Sequence, residues 1–469
     1  MKRPKKRVLL SDMRTLDRVY ALSIRLLRWF SPLLERGGSK LALGLRGRVR
    51  ARAVLEDWGS VYRDHDRPLV WVHAPSVGEG LQAKSVLEVL LEQRPDLQTA
   101  FTFFSPSALD LAKRMPVHVA GFLPWDVSSE MEALVQSLEP GLIVFTKTEV
   151  WPGLVAAAAA AGVPVVLAAA TLREGAGRLS PLGRLFLSPT FGALTQILSV
   201  SAEDGERFCR LGVSPERIVV TGDPGVDSAW RRAREANPRA LYLAPFVDDR
   251  RPTVVAGSTW GADEAVLIPA LTELRRRFER LRVVIAPHEP HEAHVAHLVR
   301  ALGGAGFRTE RLREVEARGR AGDVDAVVVD RVGVLAHLYT VGDMAYVGGG
   351  FGRNGLHSVL EPAAAGIPVV FGPRHAGSPA AADLLRVGAA HEVSDGAGLV
   401  QILESWLRDR RRLEEAAGRA SGYIEGHRGA ARRTADALAG LLPVSKERRV
   451  DRTAVRRGGD PRDHPHRAE

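Results

Sequence analysis

The chain of 469 residues contains a single cysteine, Cys209, which excludes an intramolecular disulfide framework and any cysteine-clustered zinc or iron–sulfur site. Long apolar runs are also missing. Only residues 150–172 reach the roughly 20 residues needed to span a bilayer, and that stretch is mostly alanine and interrupted by Pro152, Gly162 and Pro164. It reads as a buried helix, a turn and a buried strand over residues 164–169. No secretory signal is expected either, because after the basic start only residues 8–10 are continuously apolar and no small-residue cleavage site follows an apolar core. The protein is therefore expected to stay in the cytoplasm. His291, His294 and His297 are spaced by three and complete no H-E-x-x-H, so they read as a solvated helix face beyond Pro290 rather than metal ligands. No Asp-x-Asp stands at the carboxyl end of a strand, and no metal site is expected. With 45% apolar and 26% charged residues, the bulk of the chain is globular.

Charge is present in excess, and it is concentrated. Residues 1–52 hold 15 Lys/Arg against Asp12, Asp17 and Glu35, so a net +12 there leaves −2 for the other 417 residues. Within this segment Leu16, Val19, Tyr20, Leu26, Leu27, Phe30, Leu33 and Leu34 recur at helical spacing. Arg14, Arg18, Arg25, Arg28 and Arg36 fall between them, Trp29 sits beside Phe30, and Pro32 bends or ends the helix. A basic amphipathic helix with tryptophan suits a bilayer interface, where each basic residue near anionic lipid contributes about 1 kcal/mol. The bland alternative is an amphipathic helix packed on the body. No recognised motif supports nucleic acid as a partner.

Beyond the leader, short apolar runs alternate with helical patterns, as parallel α/β sheets require. In the first half, strands are expected at 69–73, 98–103, 118–122, 142–145, 164–169, 196–199 and 218–221. In the second they are expected at 253–256, 281–285, 326–329, 344–347, 369–371 and 390–392. The polar stretch 237–252, with Pro238, Pro245 and Pro252, is the expected boundary. The fold class is thus α/β: two Rossmann-like domains facing across a cleft, with ligands at the carboxyl ends of the strands. The divisions are a basic segment 1–52, a first domain 53–236, a second domain 237–443, and a tail 444–469 too poor in apolar residues to pack.

Polar residues cluster after particular strands. Just past the first strand Gly78 and Gly80 are expected to let the backbone turn tightly and expose Glu79 between them, where it could cap a helix or act as a general base. Lys147 and Glu149, in Thr146-Lys147-Thr148-Glu149-Val150-Trp151-Pro152, follow another; the dull alternative is a Lys147–Glu149 surface pair. In the second half Gly257-Ser258-Thr259 offers small residues and N–H groups for phosphate oxygens. Pro287-His288 follows the next strand. Glycines are dense from Gly348 to Gly355, including Gly349 and Gly350, and Gly350 to Gly355 formally fits G-x-G-x-x-G. The acidic ribose partner expected about 20 residues on is missing, so the run reads as a phosphate loop ahead of a helix with His357 and Glu361. Glu361 could grip ribose hydroxyls.

Six ordered blocks together resemble the Kdo (3-deoxy-D-manno-octulosonic acid) transferases over roughly residues 20–438. They are 73–80, Glu149-Val150-Trp151-Pro152, Val220-Thr221-Gly222-Asp223, 256–264 (AGSTWGADE), 285–289 (IAPHE) and 345–373. The resemblance implies a GT-B fold and inverting, metal-independent transfer of Kdo from CMP-Kdo to a lipid A precursor of the lipid IVA type. It implies an enzyme at the cytoplasmic face of the inner membrane, peripheral or N-terminally anchored, without a cofactor, and an anionic membrane as partner. The first domain would take the acceptor and the second the CMP-Kdo. Glu79 matches the family's general base and Glu149 the carboxylate that supports the transition state. Pro287-His288, Val332-Gly333-Val334 and Ser358-Val359-Leu360-Glu361 match the CMP-binding stretches. The chain departs from the pattern at His288 (often arginine), at Ser358 (often asparagine), and at Gly225, where a Lys or Arg near the sugar acid is usual. Two alternatives remain open: a GT-B glycosyltransferase or epimerase using a UDP-sugar, and a catalytically degenerate membrane-bound member.

Overall fold

The computed structural model describes residues 5–35 and 40–443, with side chains from residues 20–35 and 41–443. The expected tail at 444–469, Arg36, and the side chains of Arg14, Leu16, Arg18 and Val19 lie outside what is described.

The chain divides into two units, one holding residues up to Pro224 together with those from Gly429 onward, the other Gly225–Arg428. The first is built on β1 (Leu69–His73), β2 (Gln98–Phe103), β3 (Val119–Phe122), β4 (Pro140–Thr146), β5 (Val165–Ala170), β6 (Gln196–Ser199) and β7 (Ile218–Val220). The second holds β8 (Thr253–Thr259), β9 (Arg282–Pro287), β10 (Thr309–Arg311), β11 (Ala326–Val328), β12 (Met344–Val347), β13 (Val369–Phe371) and β14 (Ala390–Glu392). Each set forms one parallel sheet. The orders are β3-β2-β1-β4-β5-β6-β7 and β10-β11-β9-β8-β12-β13-β14. β1, β2, β5 and β9 are buried along their whole length. Helices cover both faces of such sheets, which is why the strands read as continuous apolar runs rather than alternating ones. Each sheet reverses its winding once, between β1 and β4 in the first and between β8 and β12 in the second. Ligands of open α/β sheets bind at that reversal, outside the carboxyl ends of the strands.

Three expectations change. The division falls at Pro224/Gly225, not near residue 237, because Val226 and Ala229 of the helix Pro224–Glu235 are buried against Val347, Val359 and Phe371 of the second unit. The proline-rich stretch 237–252 is not a linker: it buries Leu243 and Phe246 in that unit's core. The last helix, Ala430–Leu441, rejoins the first unit, with Ala431, Ala435 and Leu438 packed against Val70, Val72 and Val144.

The basic leader is helical from Lys5 to Leu34, with Pro32 in the last turn. The two apolar stripes of this helix do different things. Tyr20 and Ile24 pack on Trp125 and Val127, Tyr20 donates to Asp126 Oδ2 at 2.7 Å, and Arg28 pairs with Glu130. Leu22, Leu26, Trp29, Phe30 and Leu33, on the opposite stripe, are exposed, Trp29 by 73%. Among the described residues no helix is long and apolar enough to cross a membrane.

Candidate active site at the two sheet reversals

In the first unit β1 ends at His73 and the helix Val77–Gln93 begins four residues later, placing Glu79 in its first turn. Gly78 and Gly80 are not turn residues as expected. Both lie inside the helix, neither has a positive φ, and Gly80 is tight for another reason: a Cβ there would meet Leu111 Cδ2 at 2.5 Å. Glu79 is correspondingly 15% exposed rather than held out by glycines. Its Oε2 accepts a hydrogen bond from Ser76 Oγ, and Lys147 Nζ lies 3.2 Å from Oε1. Lys147 thus pairs with Glu79, not with Glu149. Burial alone would raise the Glu79 pKa. The Lys147 charge, the Ser76 hydroxyl and the residue's own N–H outweigh it and hold the carboxyl below its ordinary range.

Lys147 reaches Glu79 from the residue after β4, with φ 65°, a left-handed conformation uncommon outside glycine. Its backbone N–H is tied to Ala168 O at 2.9 Å. Two residues on, Glu149 Oε1 accepts from Trp151 Nε1 at 3.1 Å and lies 3.6 Å from His73 Nε2. The same indole nitrogen is 3.3 Å from His73 Nε2, so one donor serves the histidine and the carboxylate. His73 is fully buried, with Nδ1 3.1 Å from Thr102 Oγ1. Burial pushes its pKa down although Glu149 pulls the other way.

Sequence reasoning missed what stands behind Glu149. Arg48, on the helix Lys40–Tyr62, looked like one of many leader arginines but is 5% exposed. Its guanidinium lies 4.1 Å from the Phe104 ring centre, 5.0 Å from Trp151 and 5.2 Å from Trp125, and its Nε and Nη2 have no hydrogen-bond partner. Burial lowers its pKa to about 10, against the pull of Glu149 and Asp126. Asp126 in turn accepts from the Gly153 and Leu154 N–H groups at 2.7 and 2.8 Å, fixing the helix that follows Trp151.

In the second unit the expected nucleotide residues do gather at the carboxyl ends of β11, β9, β8 and β12, which are neighbours in the sheet. Their parts differ from expectation. Gly257, Ser258 and Thr259 finish β8 instead of forming a loop, with Ser258 at φ 55° and a register shift between Gly257 and Thr259. Thr259 is buried and its hydroxyl is spent on Glu264 at 2.9 Å. The Gly349 N–H is spent on buried Asp263 at 2.8 Å, and the same carboxylate takes Tyr346 OH at 2.9 Å and Trp260 N–H at 3.0 Å. A Cβ on Gly350 would meet Gly372 N at 2.5 Å, so close backbone approach explains that glycine. Pro287 ends β9, and the His288 N–H bonds Thr259 O at 2.9 Å. Val332 is 70% exposed, Gly333 has φ 92°, and Val334, Val359 and Leu360 are buried, so these last three can offer a ligand only backbone. Ser358 is exposed. Glu361, in the first turn of the helix Leu360–Ala364, is paired with Arg232 at 2.9 Å.

His357 precedes that helix rather than lying within it. It stacks on His288, with ring centres 4.2 Å apart, and His288 stacks on Trp260 at 4.7 Å. Trp260 Nε1 donates to His357 Nε2 at 2.8 Å. Burial, then the neighbouring His288, lowers the His357 pKa to about 4, so this ring is neutral at physiological pH. The sequence showed His288 and missed the stack. Of the three spaced histidines, His291 and His297 are exposed, but His294 binds Glu264 at 3.0 Å. Among the described residues no group of three His, Cys, Asp or Glu could hold a metal ion.

Two parallel seven-stranded α/β units, each with polar residues gathered at its reversal, have the GT-B fold. The UDP-GlcNAc 2-epimerase of Neisseria meningitidis, solved bound to UDP-GlcNAc, has the same fold: TM-score 0.56 and 12% identity over 80% of this chain and 99% of that one. Residues 48–228 match the family model of 3-deoxy-D-manno-octulosonic-acid transferases. The Kdo transferase of Chlamydophila psittaci is 29% identical over 69% of this chain and 73% of its own length. That of Bordetella pertussis is 29% identical over 79% and 86%. The chain thus carries a domain of the Kdo transferase family over residues 48–228, is similar to named Kdo transferases at 24–29% identity over most of its length, and is a glycosyltransferase.

Proposed function

We propose that the protein transfers Kdo from CMP-Kdo to a lipid A precursor of the lipid IVA type, with inversion and without a metal ion or cofactor. The observation that carries this reading is the pair of carboxylates, Glu79 and Glu149, at the β1/β4 reversal of a chain whose relatives are named Kdo transferases. Glu79, ionised at neutral pH, takes the proton of the acceptor hydroxyl as that oxygen attacks the anomeric carbon. Glu149, oriented by Trp151 and His73, stabilises positive charge developing on the sugar. The β8, β9, β11 and β12 ends bind the CMP half of the donor, with the Trp260–His288–His357 rings offering a flat face and Glu361 a ribose acceptor. The expectation of no metal rests on the lack of an Asp-x-Asp at a strand's carboxyl end.

The leader gives this reading its location. The exposed stripe of Leu22, Leu26, Trp29, Phe30 and Leu33, amid a net +12 segment, suits a peripheral contact with the anionic inner face of the membrane that carries the acceptor. Mass spectrometry of a lipid A precursor incubated with the protein and CMP-Kdo tests the transfer. A mass gain of whole Kdo units is expected. No gain, together with binding of UDP in preference to CMP, would replace this reading with a UDP-sugar enzyme.

A further inference from the structure

In the ligand-free protein both oxygens of Glu79 are engaged, Oε2 by Ser76 Oγ and Oε1 by Lys147 Nζ at 3.2 Å. A base in that state is ionised but occupied. A cation on Oε1 also weakens the base, so drawing Lys147 away strengthens Glu79 for taking a proton.

The donor supplies the group that draws it away. In a 2-ulosonic acid the anomeric carbon bears a carboxylate as well as the bond to the leaving group. In the transfer the acceptor oxygen bonds to this same carbon, so the sugar carboxylate ends two bonds from the oxygen whose proton Glu79 removes. A cation beside Glu79 is then beside the carboxylate. Lys147 meets this requirement: its side chain is 46% exposed, and a left-handed backbone delivers it. Such strain collects where a side chain has to be aimed. Arg48, a second cation near this edge of the sheet, is enclosed by three rings and 5% exposed, which withholds it from a ligand.

We propose that Lys147 is a catalytic residue that exchanges Glu79 for the sugar-acid carboxylate of the donor, anchoring the sugar and freeing Glu79 Oε1 in one move. This rests on the transfer reading above. The balance is simple. A bond forms between the acceptor oxygen and the anomeric carbon, and the bond from that carbon to the phosphate oxygen breaks, its electron pair leaving with CMP. The proton goes to Glu79, and Lys147 keeps its own throughout.

The test uses the full chain and its Lys147→Gln and Lys147→Arg variants with CMP-Kdo and a lipid A precursor. Loss of one charge-assisted contact predicts a rise of about 10- to 100-fold in KM for CMP-Kdo in the Gln variant, with most of it recovered in the Arg variant. Affinity for CMP alone, which has no sugar carboxylate, is expected to match the wild type, a separation that a merely structural role would not give. A Gln variant within twofold of wild type in KM and turnover overturns the inference. So does a variant losing CMP and CMP-Kdo affinity equally. A wild type that transfers no Kdo overturns the functional reading, and this inference with it.

Discussion

Glu79→Gln removes the carboxylate while keeping its size, and the structure sets what else the change should cost. In the folded protein this carboxylate meets Ser76, Lys147 and the positive end of the helix Val77–Gln93. Lys147 is 46% exposed, so the ion pair contributes no more than about 1 kcal/mol to stability, and the helix end adds about 0.3–1 kcal/mol. Melting should fall by a few degrees at most. CMP affinity should not change, because the proposed nucleotide loops all lie in the second unit. Turnover should fall about 10²–10⁴-fold, the usual contribution of a positioned base, or roughly 3–5 kcal/mol of barrier. The pH profile gives a second readout. Glu79 must be ionised to act, and Lys147 and Ser76 hold its pKa below the ordinary carboxylate range. In kcat/KM, which reports the free enzyme where Lys147 still faces Glu79, wild-type activity attributable to it persists above that lowered pKa and disappears as the pH falls through it. The residual rate of the Gln variant should lack this limb. A Gln variant within fivefold of wild type, with the acid limb intact, would refute the assignment and return Glu79 to the part of a helix cap, leaving Glu149 as the candidate base.

Asp126→Ala strips the Gly153 and Leu154 N–H groups and the Tyr20 hydroxyl of one buried acceptor, so urea unfolding should show a loss of about 2–4 kcal/mol. A loss under about 1 kcal/mol would mean that the carboxylate does not hold the start of that helix. His357 has its pKa lowered from 6.5 to about 4, so the fold favours the neutral ring. Its contribution is complete above pH 6.5 and is lost as the pH drops toward 4, at most about 2–3 kcal/mol. Stability curves of His357→Gln should be flatter than wild type across that interval, and parallel curves would contradict the burial argument. Changing Leu26, Trp29, Phe30 and Leu33 together to serine should abolish flotation with anionic liposomes while leaving melting and CMP binding unaltered. Flotation equal to wild type would put the membrane contact elsewhere.

The fold was legible where burial writes itself into composition. Strands buried on both faces appear as runs such as Leu69–His73 and Val369–Phe371, and their boundaries agree with the sequence reading. β10 escaped because Thr309-Glu310-Arg311 is a short edge strand, half-exposed throughout, with no apolar signal to detect. The domain boundary escaped for a related reason. Pro238, Pro245 and Pro252 mark irregular backbone, which a linker and a packed connection share. What distinguishes them is whether Leu243 and Phe246 find a core, and only tertiary structure decides that.

The same divide separates the parts of the site. Glu79, Lys147, Glu149 and His288 were visible because each is a polar residue directly after an apolar strand, a position where a charge is conspicuous. Their partners were not, because a partner is defined by distance. Arg48 precedes Trp151 by 103 positions and touches its ring; Trp260 precedes His357 by 97 and donates to it. Glycines misled in the opposite direction. Gly78 and Gly80 suggested a turn but lie in a helix, one of them because Leu111 needs the space, while the left-handed backbone at these sites belongs partly to Lys147 and Ser258. Sequence spacing therefore located the strand ends at which the chemistry collects. It could not say that the lysine at one end is already bound to the carboxylate at the next, and it is from that contact that the proposed exchange between Glu79 and the sugar acid follows.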